Sequence, residues 1–483
     1  MKSLESFILK AVPWFEKTAF FILCLILFDC MALGGGAYLK FFNLDIRMWF
    51  FLAFFIISVP LILLNIRKLI RNVYVIVLLL WFIWIAFSTV RGFSAGNRVD
   101  MIISGLVGFA SFAILPGTIV VINSKERMLK LMKVSVIASV ALAIQKIFYL
   151  VIYNFYRECF DAINLWAIAR EFGGFSDVDH SVVRIFLRSQ PMLVLSCASA
   201  FYFAINSNDK YKFVYCGIVA LNFLTILFSY TRSIYLAVFV SAAFLIIVFA
   251  YKTQIKAILK RIGVIVAIFL ILLLACKVVF QGEFVNYAVY RSVGIDISSE
   301  FTEQIGRNPT DLLNGVNETT FTDKVEEDFF EDDVVGNKES FDLFNENLEM
   351  IQIASDEIRS ETVNELIWHI KKNPVLGSGM GAVLEVRNGL DSYNEYFYLD
   401  QAFKTGIVGI LLYVIPMVLM VIELMRVDRR KPNSLFLEKS VFLSALIAIA
   451  VFCIFNPYLN GSNGITLYCC AIGAFSIKKV QNN

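Results

Sequence analysis

The sequence predicts an all-α polytopic integral membrane protein of about twelve transmembrane helices, with a large extracytoplasmic loop between spans nine and ten. Three observations lead there. Of 483 residues, 58% are hydrophobic and 17% charged, too apolar a balance for a soluble enzyme. Apolar runs of roughly 17–25 residues recur, each long enough to cross about 30 Å of hydrocarbon. The lysines and arginines between these runs fall in alternate connections, as the positive-inside bias requires.

The spans lie near 18–37, 48–64, 73–90, 101–122, 131–153, 184–206, 212–229, 233–251, 262–280, 402–425, 440–456 and 464–477. Basic clusters at Arg67–Arg71, Lys125–Lys133, Lys210–Lys212, Lys252–Arg261 and Arg426–Lys439 all follow even-numbered or precede odd-numbered spans under one orientation. That orientation puts both termini in the cytoplasm and keeps the first span as a helix rather than a cleaved signal. The chain then divides into transmembrane helices one to nine (1–280), a large extracytoplasmic loop (281–400) and transmembrane helices ten to twelve (401–483).

Net charge is +3, but it is unevenly spread. Residues 281–396 carry 8 basic and 24 acidic side chains, a local net of −16 that leaves +19 elsewhere. An acidic outer loop beside a basic cytoplasmic face follows from topology and gives no sign of nucleic-acid binding. Eight of the nine cysteines sit in apolar spans, which implies packing rather than a disulfide framework. With only His180 and His369, no histidine/cysteine metal constellation is present.

Along the chain, the first five spans carry few polar groups and read as scaffold. Lys146 and Lys277, each near the outer end of a span, make poor candidates for a proton relay. The loop Asn154–Val183 leads into Arg184 and Arg188 at the top of span six, four residues apart and so one turn apart on a helix face. Two readings stand for them, snorkelling to lipid headgroups or binding an anion. Phe228-Ser229-Tyr230-Thr231-Arg232-Ser233 is a tight outer turn in which Arg232 starts the next helix. A guanidinium beside free helical N–H groups suits a phosphate, and a headgroup anchor is the plainer alternative.

The outer loop has two parts. Residues 281–354 are acid-rich without the spacing of a calcium loop, and read as a solvated face. Residues 355–372 read as a helix with acids at its start, bases at its end and Asn373-Pro374 to stop it. Val363, Leu366 and Ile370 form its apolar stripe, which Arg359 continues and where it needs an anion. Gly377, Gly379 and Gly381 then allow a tight turn or the close approach of a ligand. Asp391-Ser392-Tyr393-Asn394-Glu395-Tyr396-Phe397-Tyr398-Leu399 follows, and then Lys404-Thr405-Gly406. The last outer turn, Asn456-Pro457-Tyr458-Leu459-Asn460-Gly461, closes the set.

These segments resemble the O-antigen ligase/polymerase family, the Wzy-type polymerases and their WaaL-type ligase relatives. The resemblance rests on Thr231-Arg232-Ser233-Ile234-Tyr235-Leu236, on Arg359 before Asn373–Gly379, on Leu399, on Gly406 with Gly409, and on the closing turn. It covers roughly Arg184 to the C-terminus, and the slot that holds histidine in the ligases holds Glu395. The resemblance implies glycosyl transfer at the periplasmic face of the bacterial inner membrane, from a glycan linked to undecaprenyl diphosphate, without metal or cofactor. It also implies a chain-length regulator as a membrane partner. Arg232 and Arg359 would neutralise the diphosphate, with Arg184 and Arg188 behind them, and Glu395 would act as the base. Tyr393, Tyr396 and Trp368 could stack on sugars, although an interfacial aromatic belt also places them there. Glutamate in the histidine slot favours a repeat-unit polymerase over a ligase. A flippase or symporter is the reading from another class.

Overall fold

The computed structural model describes residues 2–33, 40–42, 44–170, 173–177, 183–206, 211–251, 255–280, 348–387, 395–426 and 435–477. The acid-rich segment before Leu348 and the candidate Tyr393 lie outside the described residues. So do Lys210, Lys252, Arg429, Arg430 and Lys431 of the orientation argument.

Helices dominate, and among the described residues eight helical segments are long and apolar enough to cross a membrane. In chain order they begin with α1 (Lys2–Ala32), α2 (Ile46–Leu64), the short α3 (Ile66–Ile70) and α4 (Val73–Ser94). A minimal pairing of β1 (Lys40–Phe41) with β2 (Leu44–Asp45) separates α1 from α2. The fourth apolar run is a composite of α5 (Val99–Val107), a 3-10 stretch Gly108–Ile114 and α6 (Leu115–Val121). Then follow α7 (Lys125–Phe155), α8 (Arg157–Ala169), α9 (Leu193–Asn206), α10 (Lys212–Leu227), α11 (Arg232–Ala250) and α12 (Ile255–Phe280). The C-terminal part holds α13 (Leu348–Lys372), α14 (Phe397–Arg426), α15 (Phe436–Phe452) and α16 (Ser462–Phe475).

Span six departs from expectation. Residues 183–187 form strand β4 (Val183–Leu187), paired antiparallel with β3 (Gly173–Asp177), and helix α9 starts only at Leu193. Val183, Ile185 and Leu187 are buried while Arg184 and Phe186 are half-buried. That period of two is a strand signal inside an apolar run. A 3-10 turn, Gln190–Met192, then precedes the helix, with Pro191 in its first turn, where its missing N–H costs nothing. Arg184 and Arg188 therefore do not share a helix face: the first sits on a strand and the second in the turn after it.

One end of the bundle is closed by charged pairs. Arg127 at the start of α7 bonds Glu16 of α1 at 2.8 Å, and Lys125 bonds Glu438 of α15 at 2.8 Å. Glu423 of α14 takes both the Tyr74 hydroxyl and Lys439, each at 2.6 Å. The other end gathers the starts of α11, α14 and α16 and the finishes of α10 and α15. There the buried pair Asp29–Arg47 (3.0 Å) joins α1 to α2, and Arg47 also donates to Ser462 at the start of α16.

The segment after α13 is built into a break in α14. Gly406 has φ +68°, and the non-helical geometry there frees backbone groups on either side. They are satisfied from outside the helix. Ser378 N–H donates to Phe403 O (2.7 Å), Gly379 N–H to Lys404 O (3.0 Å) and the Trp84 indole to Thr405 O (2.8 Å). Ile407 N–H in turn donates to Pro374 O at 2.9 Å. Irregular backbone among apolar helices is tolerable only when buried and satisfied in this way. A Cβ on Gly377 would meet Gly406 N at 2.5 Å, and one on Gly406 would meet Val375 O at 2.0 Å. The turn glycines thus serve backbone-to-backbone packing.

Candidate active site

Helix α13 docks through Leu366, which is fully buried with Ala382, Leu384 and Phe403 in a small satellite core. Arg359 extends this stripe two turns toward the helix start, and the anion it meets is Glu395. Its Nε lies 2.9 Å from the Glu395 carboxylate, with side-chain exposures of 44% and 40%. The geometry follows from the docking described above, because the 373–381 turn holds the end of α13 against α14 and Glu395 precedes α14 by two residues. A candidate cation and the candidate base therefore sit in one ion pair at a solvent-accessible edge.

Arg232 is the first residue of α11 and is exposed. The preceding turn is held firmly. Tyr230 has φ +46° with its side chain 2% exposed, a conformation costing about 1–3 kcal/mol for a residue with a Cβ unless its surroundings enforce it. Those surroundings are on hand. Ile185 N–H of β4 donates to Phe228 O at 3.2 Å, and Arg184 Nε donates to Ser229 O at 3.2 Å. The Thr231 hydroxyl adds 3.0 Å to the same Ser229 oxygen, and Tyr235 OH donates to Leu227 O at 2.8 Å.

Hydrogen bonds tie the separate motif segments together. Asn456 Nδ2 donates to Ser233 Oγ at 3.0 Å, linking the closing turn to the start of α11. Gln401 Nε2 donates to Asn460 Oδ1 at 3.2 Å, linking the same turn to α14. Asn463 Nδ2 donates to Arg188 O at 3.4 Å, which brings in the turn after β4. Arg184, Arg188, Arg232, Glu395 and the closing turn thus belong to one end of the bundle.

The aromatic candidates separate. Trp368 is 52% exposed, but Lys372 Nζ lies 3.3 Å from its ring centroid, so the indole carries a cation on one face. Tyr396 is half-buried beside Glu395. The Tyr398 hydroxyl is engaged in packing, donating to Ala450 O at 2.9 Å. A cavity of about 430 Å³ opens between α14 and α15, walled by Met417, Leu443, Leu446 and Ile454 with Tyr398 at its edge. That lining suits a hydrocarbon chain and offers no acid or base. Among the described residues no group of histidine, cysteine, aspartate and glutamate side chains is arranged to hold a metal ion.

Sequence reasoning set Lys146 aside as a poor proton relay and read Asp400 and Lys404 only as polar groups at the end of a span, without their burial or partners. Asp400 and Lys404 form an ion pair at 2.8 Å with side-chain exposures of 0% and 2%. Lys146 is buried as completely, with its Nζ 2.7 Å from Gln190 Oε1 and 2.9 Å from Thr225 O. A lysine within an apolar run was the available signal for Lys146, and the i,i+4 spacing of opposite charges was the signal for Asp400 and Lys404. Compared with protein-family models and with curated proteins, the chain matches none.

Proposed function

We propose that the protein is a polysaccharide polymerase of the inner membrane, joining O-antigen or capsular repeat units on their polyprenyl carrier. In this reading α9, α10, α15 and α16 complete twelve spans with the eight longer ones, and both termini are cytoplasmic. The end carrying Arg232 and Glu395 faces the periplasm. The observation that carries the reading is that the motif segments, far apart in sequence, are linked by hydrogen bonds at one end of the bundle. At that end lie the cations and the carboxylate that such a transfer needs.

The chemistry needs charge neutralisation and a base. The acceptor hydroxyl attacks the anomeric carbon of the donor glycan, the bond from that carbon to the diphosphate oxygen breaks, and the lipid diphosphate leaves with the electron pair. Arg232 and Arg184 are suited to stabilise the charge developing on the leaving group. The acceptor proton passes to Glu395. In the resting molecule Arg359 occupies that carboxylate, so a diphosphate arriving at Arg359 would draw the guanidinium away and free the base. An exposed ion pair of this kind contributes only about 0–1 kcal/mol, so the exchange costs little. No nucleotide sugar is required, since the diphosphate carrier already activates the donor. A chain-length regulator is the protein partner this reading expects.

The test is the glycan ladder of cells lacking the gene. Collapse to a single repeat unit on the acceptor supports polymerisation. Polymer that accumulates on its lipid carrier would instead make the protein a ligase, and an unchanged ladder would return the molecule to the transporter class.

A further inference from the structure

Helix α8 has two apolar sides, and one of them is open. From Cys159 to Ala169 its exposed residues are Cys159, Ala162, Leu165, Trp166, Ile168 and Ala169, apolar or small without exception. Leu165 is 61% exposed and Ile168 52%. The opposite side is packed. Phe160 is buried, with its ring 4.9 Å from Tyr153 of α7 and 5.5 Å from Phe175 of β3, and Ala167 is fully buried. The fold accounts for that side, while a contiguous exposed apolar face marks a surface that meets a protein or a membrane.

The length of α7 sets the depth at which α8 begins. Lys133 is exposed, and from it α7 rises about 33 Å to Phe155 at about 1.5 Å per residue. An exposed lysine belongs outside the hydrocarbon, which is about 30 Å thick, so with Lys133 at one boundary Phe155 reaches the other. Between them Ile137, Ile144, Phe148 and Phe155 are all exposed, at spacings of seven and four that keep them on one helix face. Tyr156, 62% exposed, has φ −142° and ψ 62°, so the chain leaves the α7 axis there and α8 folds back on Tyr153. An apolar face at that level, reached one residue after a lipid-facing stripe ends, fits the zone between headgroups and acyl chains. Amphipathic helices lie in that zone, and tryptophan and tyrosine are enriched there.

We propose that α8 is an interfacial helix, its exposed face seated in the lipid surface at this end of the bundle, and that it anchors the β3–β4 hairpin there. Phe175 N–H donates to Asn164 Oδ1 of α8 at 3.1 Å, which ties β3 to the helix. Strand β4, paired with β3, reaches the 228–231 turn through Ile185 N–H to Phe228 O at 3.2 Å, and Arg232 follows that turn. Bilayer, α8, hairpin and turn form one mechanical series, so the depth of α8 fixes the height of the hairpin above the lipid. The assignment needs no particular reaction at the site and stands or falls apart from the polymerase reading.

The experiment follows α8 by fluorescence, with the full chain in nanodiscs of phosphatidylcholine. Cys159 is exposed and the other eight cysteines are buried or half-buried. A maleimide dye attached to it in detergent, with Cys159→Ser as background, reports the edge of the face. Leu165→Cys in the Cys159→Ser chain reports its centre. Phosphatidylcholine carrying a nitroxide near the headgroup should quench both dyes severalfold more than iodide in the water does. Strong iodide quenching with none from the lipid would overturn the proposal by leaving the face in water. Protection from both quenchers would overturn it by showing a second copy or another segment over the face. Leu165→Glu with Ile168→Glu changes exposed positions, where substitutions usually alter stability little, and should move the Cys159 dye from lipid to iodide quenching. In that variant the amides of β3 and β4 should exchange severalfold faster in nanodiscs, and unchanged exchange would overturn the anchoring of the hairpin. Should it misfold, Leu165→Gln alone repeats both measurements with the same outcomes.

Discussion

Arg359 and Glu395, 36 residues apart in sequence, meet at 2.9 Å across the junction of α13 and α14. The pair can be a structural tie or two working groups held ready, and the two roles respond differently to substitution. Both side chains are about two-fifths exposed, so the pair adds no more than about 1 kcal/mol to stability. Glu395→Gln should therefore leave thermal unfolding in detergent almost unchanged. Removing a positioned base costs about 10²–10⁴-fold in rate, so polymer synthesis should fall by at least the lower figure. The reversed pair Arg359→Glu with Glu395→Arg restores a tie but not the chemistry. Normal ladders from the reversed pair would show that the groups serve only to hold α13 in place.

The break in α14 predicts a sharp contrast between two glycines. A Cβ at Gly406 would lie 2.0 Å from Val375 O, on a residue whose φ of +68° already disfavours any other side chain. Gly406→Ala should destabilise by several kcal/mol, on the order of the largest single-residue effects, and lower the yield of folded protein. Gly263 in α12 has open space around its Cβ position, so Gly263→Ala should gain up to about 1 kcal/mol of helix stability. Melting both variants in the same detergent checks the pair, and equal behaviour would contradict the docking of the 373–381 turn.

Much of this was legible in the sequence, for reasons that also explain what was not. Arg232 reads as a helix start because the apolar runs 212–229 and 233–251 leave only Tyr230, Thr231 and Arg232 between them, and α11 does begin there. Asn373-Pro374 reads as a stop, and α13 ends at Lys372. The β3–β4 hairpin was hidden because Val-Arg-Ile-Phe-Leu is as apolar as a helix segment, and hydropathy averages away its alternation. The anion for Arg359 was foreseeable as a need, but its identity depends on α13 folding back on α14. Lys146 was read only as a poor proton relay, because its partners, Gln190 and Thr225, come from two other elements and no spacing rule connects them. The glycines of the 373–381 turn left turn and ligand as alternatives, and the structure shows what they approach: Gly406 for Gly377, Gly92 for Gly379 and Ile102 for Gly381.

Asp400 and Lys404 predict a coupling that exposed pairs would not show. Their side chains are 0% and 2% exposed, so each charge leans on the other. Lys404→Met removes the cation from a buried carboxylate, and breaking a buried pair in this way costs about 3–5 kcal/mol. The double variant Asp400→Leu with Lys404→Met replaces the pair by apolar volume and should recover most of that loss. Unfolding of the three proteins measured together gives the interaction term directly. A double variant as unstable as Lys404→Met alone would mean that the ion pair has a role beyond balancing itself.

Arg232 offers the cleanest separation of function from fold. Its side chain is exposed at the first position of α11, and substitutions at such sites usually change stability by no more than about 0.5 kcal/mol. On the proposed reading, Arg232→Ala should insert, accumulate and melt like the wild type while abolishing the polymer ladder, because the guanidinium would supply charge where the diphosphate departs. Arg232→Lys keeps the charge as a single point without the planar fork of donors, so it should restore only part of the activity. Immunoblots of the membrane fraction beside glycan gels would report both quantities from the same cells. A full ladder from Arg232→Ala would remove this residue from the reaction and leave it a headgroup anchor, and the diphosphate would then have to be held by Arg184 and Arg359.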